Sequence, residues 1–166
     1  MNTAKKHFQK IAVIGAGTMG SGIAAQIANA GLNVMLIDLA PEDKKATPPA
    51  ELAIKRLIKS DPPQLVSKLV SNQIETGTIE DDLEKLSDFD WIIEAVVERI
   101  DIKKSLYERL NQIIKSDCVV TSNTSSIPIT LLMEDMAVAF QERFAITHYF
   151  NPVRYMRLLE LVVGEH

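Results

Sequence analysis

The chain has 166 residues, which is enough for one domain with a substantial hydrophobic core and too few for two domains of ordinary size. Hydrophobic residues make up 46% of the sequence and charged residues 24%, with a net charge of −4, so the composition favours a globular protein and gives no sign of a nucleic-acid-binding surface. No apolar run approaches the length of a membrane span, and the N-terminus lacks the apolar core of a secretory signal.

The first nine residues are expected to be a flexible lead-in, with one folded domain over residues 10–166. Ile11–Ile14 is a continuous apolar run that ends at Gly15. Such a run, ended by glycine, is typical of a strand that is buried on both faces of a parallel sheet.

Residues 15–20 are Gly-Ala-Gly-Thr-Met-Gly and match the G-x-G-x-x-G pattern in full. In that pattern Gly15 allows a tight turn, Gly17 lets the backbone approach a pyrophosphate, and Gly20 lets a helix pack closely on the strand. Helically spaced apolar residues follow, and Gly31 stands where a C-terminal cap belongs. The N-terminus of that helix points unpaired N–H groups at the glycine turn, which favours a bound phosphate.

A second apolar strand ends at Asp38, about 20 residues past the glycines, where the acid that binds the adenosine ribose is expected. The alternative is a helix-packing turn without a ligand, which leaves the position of Asp38 unexplained. A 2′-phosphate at ~4 Å from this carboxylate would cost about 4 kcal/mol at an effective dielectric constant of ~20, and no arginine follows to compensate. NAD is therefore favoured over NADP.

The predicted elements that follow are a loop at residues 41–49, a helix at 50–59 and a strand at 74–79. Between the last two, Asp61 and two prolines predict the start of another helix, whose apolar stripe is residues 65–70. Asp81 or Asp82 is expected to cap a helical turn that reaches Leu86.

The remaining predicted strands are residues 91–96, 118–122, 144–148 and 158–163, and the remaining predicted helices are 102–115 and 128–133. Strands that alternate with helices predict an α/β fold of the Rossmann type, with a doubly wound, mainly parallel sheet. The last two strands are expected to form an antiparallel hairpin at one edge. The single cysteine, Cys118, lies in an apolar strand run, so we expect a buried residue in a reducing, cytoplasmic compartment.

Ligands of such sheets bind beyond the carboxyl ends of the strands, so the polar residues there are the candidate site. They are the glycine turn, Asp38, residues 94–98, residues 122–126, and His148 with Asn151. Each group also has a purely structural alternative. Glu98 and Lys103 could belong to a solvated helix start, and the Ser and Asn side chains of residues 122–126 could serve only to cap a helix.

His148 and Glu160 are the candidate catalytic pair. If residues 149–157 form the bend, the two side chains face each other across adjoining strands. A carboxylate beside an imidazole fixes its tautomer and stabilises its charged form, so His148 can accept a proton from an alcohol. Glu160 lies in an apolar run, where a carboxylate requires a partner. No second His or Cys lies at ligand spacing, so no metal is expected.

Together these motifs resemble the NAD-binding domain of the L-3-hydroxyacyl-CoA dehydrogenase family. The matching pieces are GAGTMGSGIA, Asp38, IIEAVVE, SNTSS, and HYFNP followed by LLELV, and they extend over residues 11–163. SNTSS with H-x-x-N-P is much more specific than the glycine turn. The sequence around Trp91 and Tyr155 is similar to that of the multidomain branch of the family, in which this domain is joined to an enoyl-CoA hydratase-like region.

The resemblance implies NAD as cofactor, an acyl-CoA as substrate, and oxidation of its 3-hydroxyl in fatty acid β-oxidation. It implies that His148 is the general base paired with Glu160, and that Ser125 and Asn151 contact the reacting oxygen. Glu98 and Lys103 match positions at the nicotinamide-side ribose and at the cofactor or CoA edge. The implied cofactor-binding residues are Gly15, Gly17, Thr18, Met19, Gly20, Asp38, Ala95, Val96, Glu98, Lys103, Asn123 and Ser125.

The chain departs from the family in two places. The family has a C-terminal helical domain that closes the crevice and makes the dimer, and this chain ends before it. The segment 39–72 matches poorly, with Lys55 and Lys59 as candidates for CoA contacts. Two alternatives to the dehydrogenase stay open, namely an NAD(H)-binding module that is inactive alone and a dehydrogenase of a small hydroxy acid without CoA.

Overall fold

Seven strands form one sheet in the computed structural model, which describes residues 8–165. The strands are β1 (Ile11–Ile14), β2 (Val34–Asp38), β3 (Ile74–Thr78), β4 (Trp91–Glu94), β5 (Val119–Ser122), β6 (Phe144–Tyr149) and β7 (Leu159–Val163). Their order is β3-β2-β1-β4-β5-β6-β7, and all pairs are parallel except β6 and β7. The predicted doubly wound sheet with an antiparallel edge hairpin is therefore confirmed.

Six α-helices lie around this sheet. They are α1 (Thr18–Asn29), α2 (Pro49–Ile58), α3 (Ile79–Asp82), α4 (Ile100–Ile113), α5 (Ile129–Met133) and α6 (Val138–Gln141), with 3₁₀ turns at Lys68–Gln73 and Leu83–Asp88. Within residues 8–165, no helix combines the length and apolar character that crossing a membrane requires.

Two hydrophobic cores lie on opposite faces of the sheet, and β1 contributes to both. Ile11 and Val13 pack with residues of α1 and α2, whereas Ala12 and Ile14 pack with residues of α4, α5 and α6. Because successive side chains of a strand point to opposite faces, a strand between two helical layers must be apolar throughout. This explains the uninterrupted apolar run at the start of the domain.

The glycine turn brings three backbone segments into close contact. Gly15 has φ of +104°, and a Cβ placed there would lie 2.5 Å from the carbonyl oxygen of Ala95. A Cβ on Gly20 would lie 1.8 Å from the carbonyl oxygen of Gly15, whereas a Cβ on Gly17 would have nothing within 4 Å. The tight turn predicted at Gly15 and the close packing predicted at Gly20 are thus confirmed, whereas the approach of a pyrophosphate to Gly17 stays a prediction, with open space beside this residue.

The prediction of a helix that starts at Asp61 is wrong. Residues 60–67 form bends and turns, and only the short 3₁₀ turn Lys68–Gln73 follows. Val66 and Leu69 are 56% and 76% exposed, whereas Leu65 is buried and Val70 partly buried, so only half of the apparent apolar stripe faces the core. Backbone carbonyls of this segment instead accept hydrogen bonds from Arg154, which a helix would have used internally.

The prediction that Asp81 or Asp82 caps a helical turn reaching Leu86 is confirmed in position, since Asp82 is the N-cap residue of the 3₁₀ turn Leu83–Asp88, although its side chain makes no capping bond there. The cap of α3 is Thr78, whose hydroxyl accepts a hydrogen bond from Asp81 N at 3.2 Å. Asp82 contributes in the reverse direction, since its carboxylate accepts a bond from Thr78 N at 2.7 Å. The four-residue helix α6 was not predicted, because a single turn is too short to show a periodic apolar pattern.

Most of the predicted flexible lead-in, residues 1–7, lies outside the described residues. Its last two residues contact the start of β4: the ring of Phe8 lies 5.4 Å from that of Trp91, and Gln9 N donates to Asp90 Oδ2 at 2.9 Å. The Lys115 ammonium and the backbone N–H groups of Lys10 and Gln9 hold the pKa of Asp90 well below its usual range. The beginning of the described chain is therefore fastened to the central strands.

Gly20→Ala is expected to lower the free energy of unfolding by about 3 kcal/mol, because the added methyl group must displace backbone atoms. Gly17→Ala is the matched control and should cost less than about 1 kcal/mol, since its methyl group meets nothing. Urea unfolding of both variants measures the difference. Equal losses would contradict the assigned close contact between Gly20 and Gly15.

Candidate active site

Two clefts with shared walls lie where the parallel strands end. The larger has a volume of about 700 Å³ and the smaller about 320 Å³, and Met19, Ala95 and Val96 line both. Of the predicted site residues, the larger cleft also contains Gly15, Gly17, Thr18 and Asp38, and the smaller also contains Glu98, Lys103, Asn123, Ser125, His148 and Asn151. Only Gly20, packed behind the turn, and Glu160, bonded to His148, line neither cleft.

The larger cleft has the features expected of a diphosphate-binding site. Gly17 is the N-cap of α1 and makes no side-chain capping bond, and the first turn contains no acidic residue. Amide groups at such a helix start require an acceptor, and the helix dipole favours an anion there. The open space beside Gly17 lets a phosphate reach these amides.

Asp38 at the end of β2 is joined to the glycine turn. Its carboxylate accepts hydrogen bonds from Ala16 N at 2.5 Å and from Leu39 N at 2.7 Å. A carboxylate has roughly four acceptor positions, so capacity remains for the hydroxyls of a ribose. The same residue can therefore hold the turn in place and bind a ligand in the larger cleft.

His148 and Glu160 face each other across β6 and β7, as predicted. They are directly opposite in the strand register, and His148 Nδ1 lies 2.7 Å from Glu160 Oε2. Because a carboxylate accepts the proton of Nδ1, the second ring nitrogen, Nε2, is the one that can exchange a proton with a ligand.

The reasoning that placed Glu160 in a buried run was wrong, although the pairing it predicted is present. All five residues of β7 are exposed, and Leu161 and Val163 reach 66% and 68%. The Glu160 side chain is 52% exposed, against 19% for His148. The apolar residues lie on an edge strand that nothing in residues 8–165 covers.

Ser125 and Asn151 lie in loops that line the smaller cleft with His148. Asn123 forms part of the wall by connecting two strands: its N–H donates to the carbonyl of Glu94 at 2.8 Å, and its Oδ1 accepts from Tyr149 N at 2.9 Å. The loop after β5 is thereby joined to the strand residue next to His148.

Glu98 is fixed by donors from the loop after β5 and from α4. Its Oε1 accepts hydrogen bonds from the hydroxyls of Thr124 and of Ser126, and Lys103 Nζ lies 3.2 Å from its Oε2. Partial burial acts to raise the pKa of Glu98, but the two hydroxyls and the ammonium outweigh it, so the pKa falls below its usual value. Glu98 is therefore held as an anion at the edge of the cleft.

Lys103 lies deeper than its predicted position at a cofactor edge. Its side chain is 1% exposed, and Nζ is bonded at 2.6 Å to Glu94 Oε1, whose side chain is completely buried. Glu94 lies in the candidate stretch 94–98 predicted from the sequence, but no partner and no role were predicted for it. The signal was available, because a carboxylate at the end of the apolar strand β4 needs a buried partner.

Helix α2 borders a third cleft, of about 420 Å³, which also contains Gly17, Thr18 and Asn151. The residue of α2 that carries a charge into this cleft is Arg56, whose Nη2 donates to Ala16 O at 3.2 Å. Lys55 and Lys59, the residues predicted as CoA contacts, are not among the residues that line it.

A glycine turn at a helix start, an acid at the end of the second strand and a histidine–carboxylate pair across the cleft define a dinucleotide-binding domain of the dehydrogenase class. The family described as 3-hydroxyacyl-CoA dehydrogenase, NAD binding domain, matches residues 10–166. The chain belongs to that family, and NAD is its cofactor.

This chain spans about half or less of the length of the relatives it matches. It is 43% identical to a probable 3-hydroxyacyl-CoA dehydrogenase of Deinococcus radiodurans over 93% of its residues and 45% of that protein. It is 41% identical to a putative fatty acid oxidation complex trifunctional enzyme of Rickettsia felis, over 96% of this chain and 22% of that one. The crystal structure of a 3-hydroxybutyryl-CoA dehydrogenase from Escherichia coli K12 superimposes with a TM-score of 0.78 at 31% identity, covering 94% of this chain and 32% of that one.

Asp38→Asn is expected to lower the ratio of the NADP and NAD dissociation constants by roughly tenfold or more, equivalent to about 1.4 kcal/mol. The physical reason is that removal of the charge relieves repulsion of a 2′-phosphate, while Asn retains an acceptor for the turn. Asp43→Asn, at an exposed acid of the following loop, is the control and should leave the ratio unchanged. Equal affinities of the unmodified protein for NAD and NADP would refute the role of Asp38.

Proposed function

We propose that this chain is the NAD-binding part of an enzyme that oxidises L-3-hydroxyacyl-CoA to 3-ketoacyl-CoA in fatty acid β-oxidation. The observation that carries the proposal is the 2.7 Å contact between His148 Nδ1 and Glu160, in a cleft that shares its walls with the glycine-turn cleft. The names of the relatives support the same reaction class.

His148 acts as the general base in this proposal. Its Nε2 accepts the proton of the substrate 3-hydroxyl as the C3–O bond becomes a carbonyl, and Glu160 stabilises the imidazolium that forms. NAD, when bound, supplies the acceptor for the hydride that leaves C3. Ser125 and Asn151 are assigned to the reacting oxygen, because both line the cleft with His148.

The cofactor would be held by the residues that line the two clefts, with the diphosphate at the amides after Gly17 and the adenosine ribose at Asp38. The anionic Glu98 is assigned to the hydroxyls of the nicotinamide-side ribose. Lys103 and Asn123 are assigned to the wall behind it, because both make hydrogen bonds with Glu94.

An acyl-CoA is favoured over a small hydroxy acid by the third cleft. This cleft extends from Asn151 along α2 and carries the guanidinium of Arg56. A small acid would be contained near His148, whereas a CoA ester has anionic phosphates that need a cationic surface farther away.

We further propose that a C-terminal dehydrogenase domain completes the enzyme and forms a homodimer. The exposure of β7 and the greater length of the relatives support this arrangement. The single, buried Cys118 supports a reducing, cytoplasmic setting.

The second candidate is an NAD(H)-binding module that does not turn over substrate alone. The 52% exposure of the Glu160 side chain favours it, because a histidine–carboxylate pair that is open to water is poorly shielded for proton transfer. The two functions differ in activity, not in cofactor binding.

Titration with NADH, followed by NADH oxidation with acetoacetyl-CoA and with free acetoacetate, separates the candidates. We expect NADH to bind and acetoacetyl-CoA, but not acetoacetate, to be reduced. Binding without turnover would support the module, equal turnover of both substrates would support a small-acid dehydrogenase, and absence of NADH binding would refute the proposal.

His148→Gln in the intact enzyme is expected to lower kcat by roughly 10³-fold, because the proton acceptor is lost. The NADH dissociation constant should stay within about twofold, since the imidazole is assigned to the substrate oxygen. Glu165→Gln, an exposed carboxylate beyond β7, is the control and should change neither quantity. A tenfold loss of NADH affinity in His148→Gln would contradict the assigned role.

A further inference from the structure

Glu94 lies beneath the candidate site and is one of the most heavily bonded side chains in the described residues. It is completely buried at the end of β4. Oε1 accepts hydrogen bonds from Lys103 Nζ at 2.6 Å and from Val96 N at 2.8 Å, and Oε2 accepts from Tyr107 OH at 2.6 Å and from Ser122 Oγ at 2.7 Å. The carboxylate therefore has all of its roughly four acceptor positions in use.

Two routes connect Glu94 to the two oxygens of Glu98. In the first, the Lys103 ammonium lies between Glu94 Oε1 and Glu98 Oε2. In the second, Ser122 Oγ donates to Glu94 and accepts from Thr124 N at 3.2 Å, and the Thr124 hydroxyl donates to Glu98 Oε1. The ring of bonds spans β4, α4 and the loop after β5, and Glu98 is the more exposed of its two members, Glu98 and Lys103, that line the smaller cleft.

Stability alone is a weak reason for this arrangement. Lys103 and Glu94 are 1% and 0% exposed, and the cost of removing two charges from water often exceeds what their attraction returns. Well-packed apolar residues of similar volume would hold β4 and α4 together at least as well. What apolar residues could not do is fix the direction of the Glu98 carboxylate.

We infer that Glu94 is a positioning residue, which sets the orientation of Glu98 and of the loop 122–126 through Lys103 and Ser122. The inference rests on the proposed function for its cofactor readout, and on the ring of hydrogen bonds for its structural readout. Glu94 lines neither of the two clefts; it acts through Lys103, which contacts Glu98 directly, and through Ser122, which is joined to Glu98 by Thr124.

Glu94→Gln tests the inference, with Tyr107→Phe as the matched control. Gln offers one acceptor oxygen and no charge, so it cannot satisfy Lys103 and Ser122 together. Tyr107→Phe removes an equally buried hydrogen bond from the same carboxylate but leaves the bonds of Lys103 and Ser122 in place. Both substitutions are expected to lower the Tm of the protein, because each removes a buried hydrogen bond. The change in Tm therefore measures the structural contribution that the two residues share.

Two further readouts separate positioning from stability. We expect Glu94→Gln to raise the NADH dissociation constant at least tenfold and to speed hydrogen exchange of the Thr124 amide at least tenfold. Tyr107→Phe should change each less than threefold. If Glu94→Gln matches Tyr107→Phe in either readout, the inference is overturned.

The remaining outcomes also decide the question. If the unmodified protein does not bind NADH, the proposed function fails, and the Thr124 exchange rates of the two variants then decide the inference alone. If Glu94→Gln does not fold, Ser122→Ala replaces it, because it removes the hydroxyl that joins Glu94 to the loop. The same tenfold changes are then expected, and changes below threefold would overturn the inference.

Discussion

The contact between three backbone segments at the glycine turn is the constraint on which the rest of the domain depends. A Cβ on Gly20 would lie 1.8 Å from the Gly15 carbonyl, and one on Gly15 would lie 2.5 Å from the Ala95 carbonyl. This close approach places the N-terminus of α1 directly over the end of β1 and beside the end of β4. The amides proposed to bind the diphosphate, the acid proposed to bind the ribose and the wall of the second cleft are neighbours because no side chain separates them.

Charge is divided between the two sides of the site. On the side of the larger cleft, the N-terminus of α1 presents its amide groups, and the carboxylate of Asp38 accepts a hydrogen bond from Ala16 N in the turn. On the other side, the anionic Glu98 is held by a buried lysine, and His148 is held by Glu160. Each group that faces the cleft is thus fixed by a second group behind it, which is the arrangement that precise orientation requires.

Strand β7 is the least covered strand of the described chain, since all five of its residues are exposed. Edge strands with exposed apolar residues are usually covered by another element, since their unpaired backbone groups otherwise attract further strands. The catalytic carboxylate proposed here, Glu160, lies on that edge. An element that covers β7 would therefore also exclude water from the histidine–carboxylate pair.

Much of the architecture follows from local patterns along the chain. Apolar runs predicted β1, β2, β4 and β5 with small errors at their ends, because a strand buried on both faces is made up mostly of apolar residues. Prediction failed at Asp61, where the spacing of apolar residues suggested a helix that tertiary hydrogen bonds to Arg154 replace. It failed in part at β7, whose apolar residues are exposed, since sequence does not say what covers a strand.

The sequence by itself determined the fold class, the glycine turn, the acid at the end of β2 and the pairing of His148 with Glu160. These features depend on residues whose spacing or strand register is local and periodic. Only the tertiary structure decided that Lys103 is buried against Glu94, and that Arg56 rather than Lys55 or Lys59 lines the cleft beside α2. Those outcomes depend on which side chains meet between elements distant in the chain, and the chemistry of a single residue does not encode its distant neighbours.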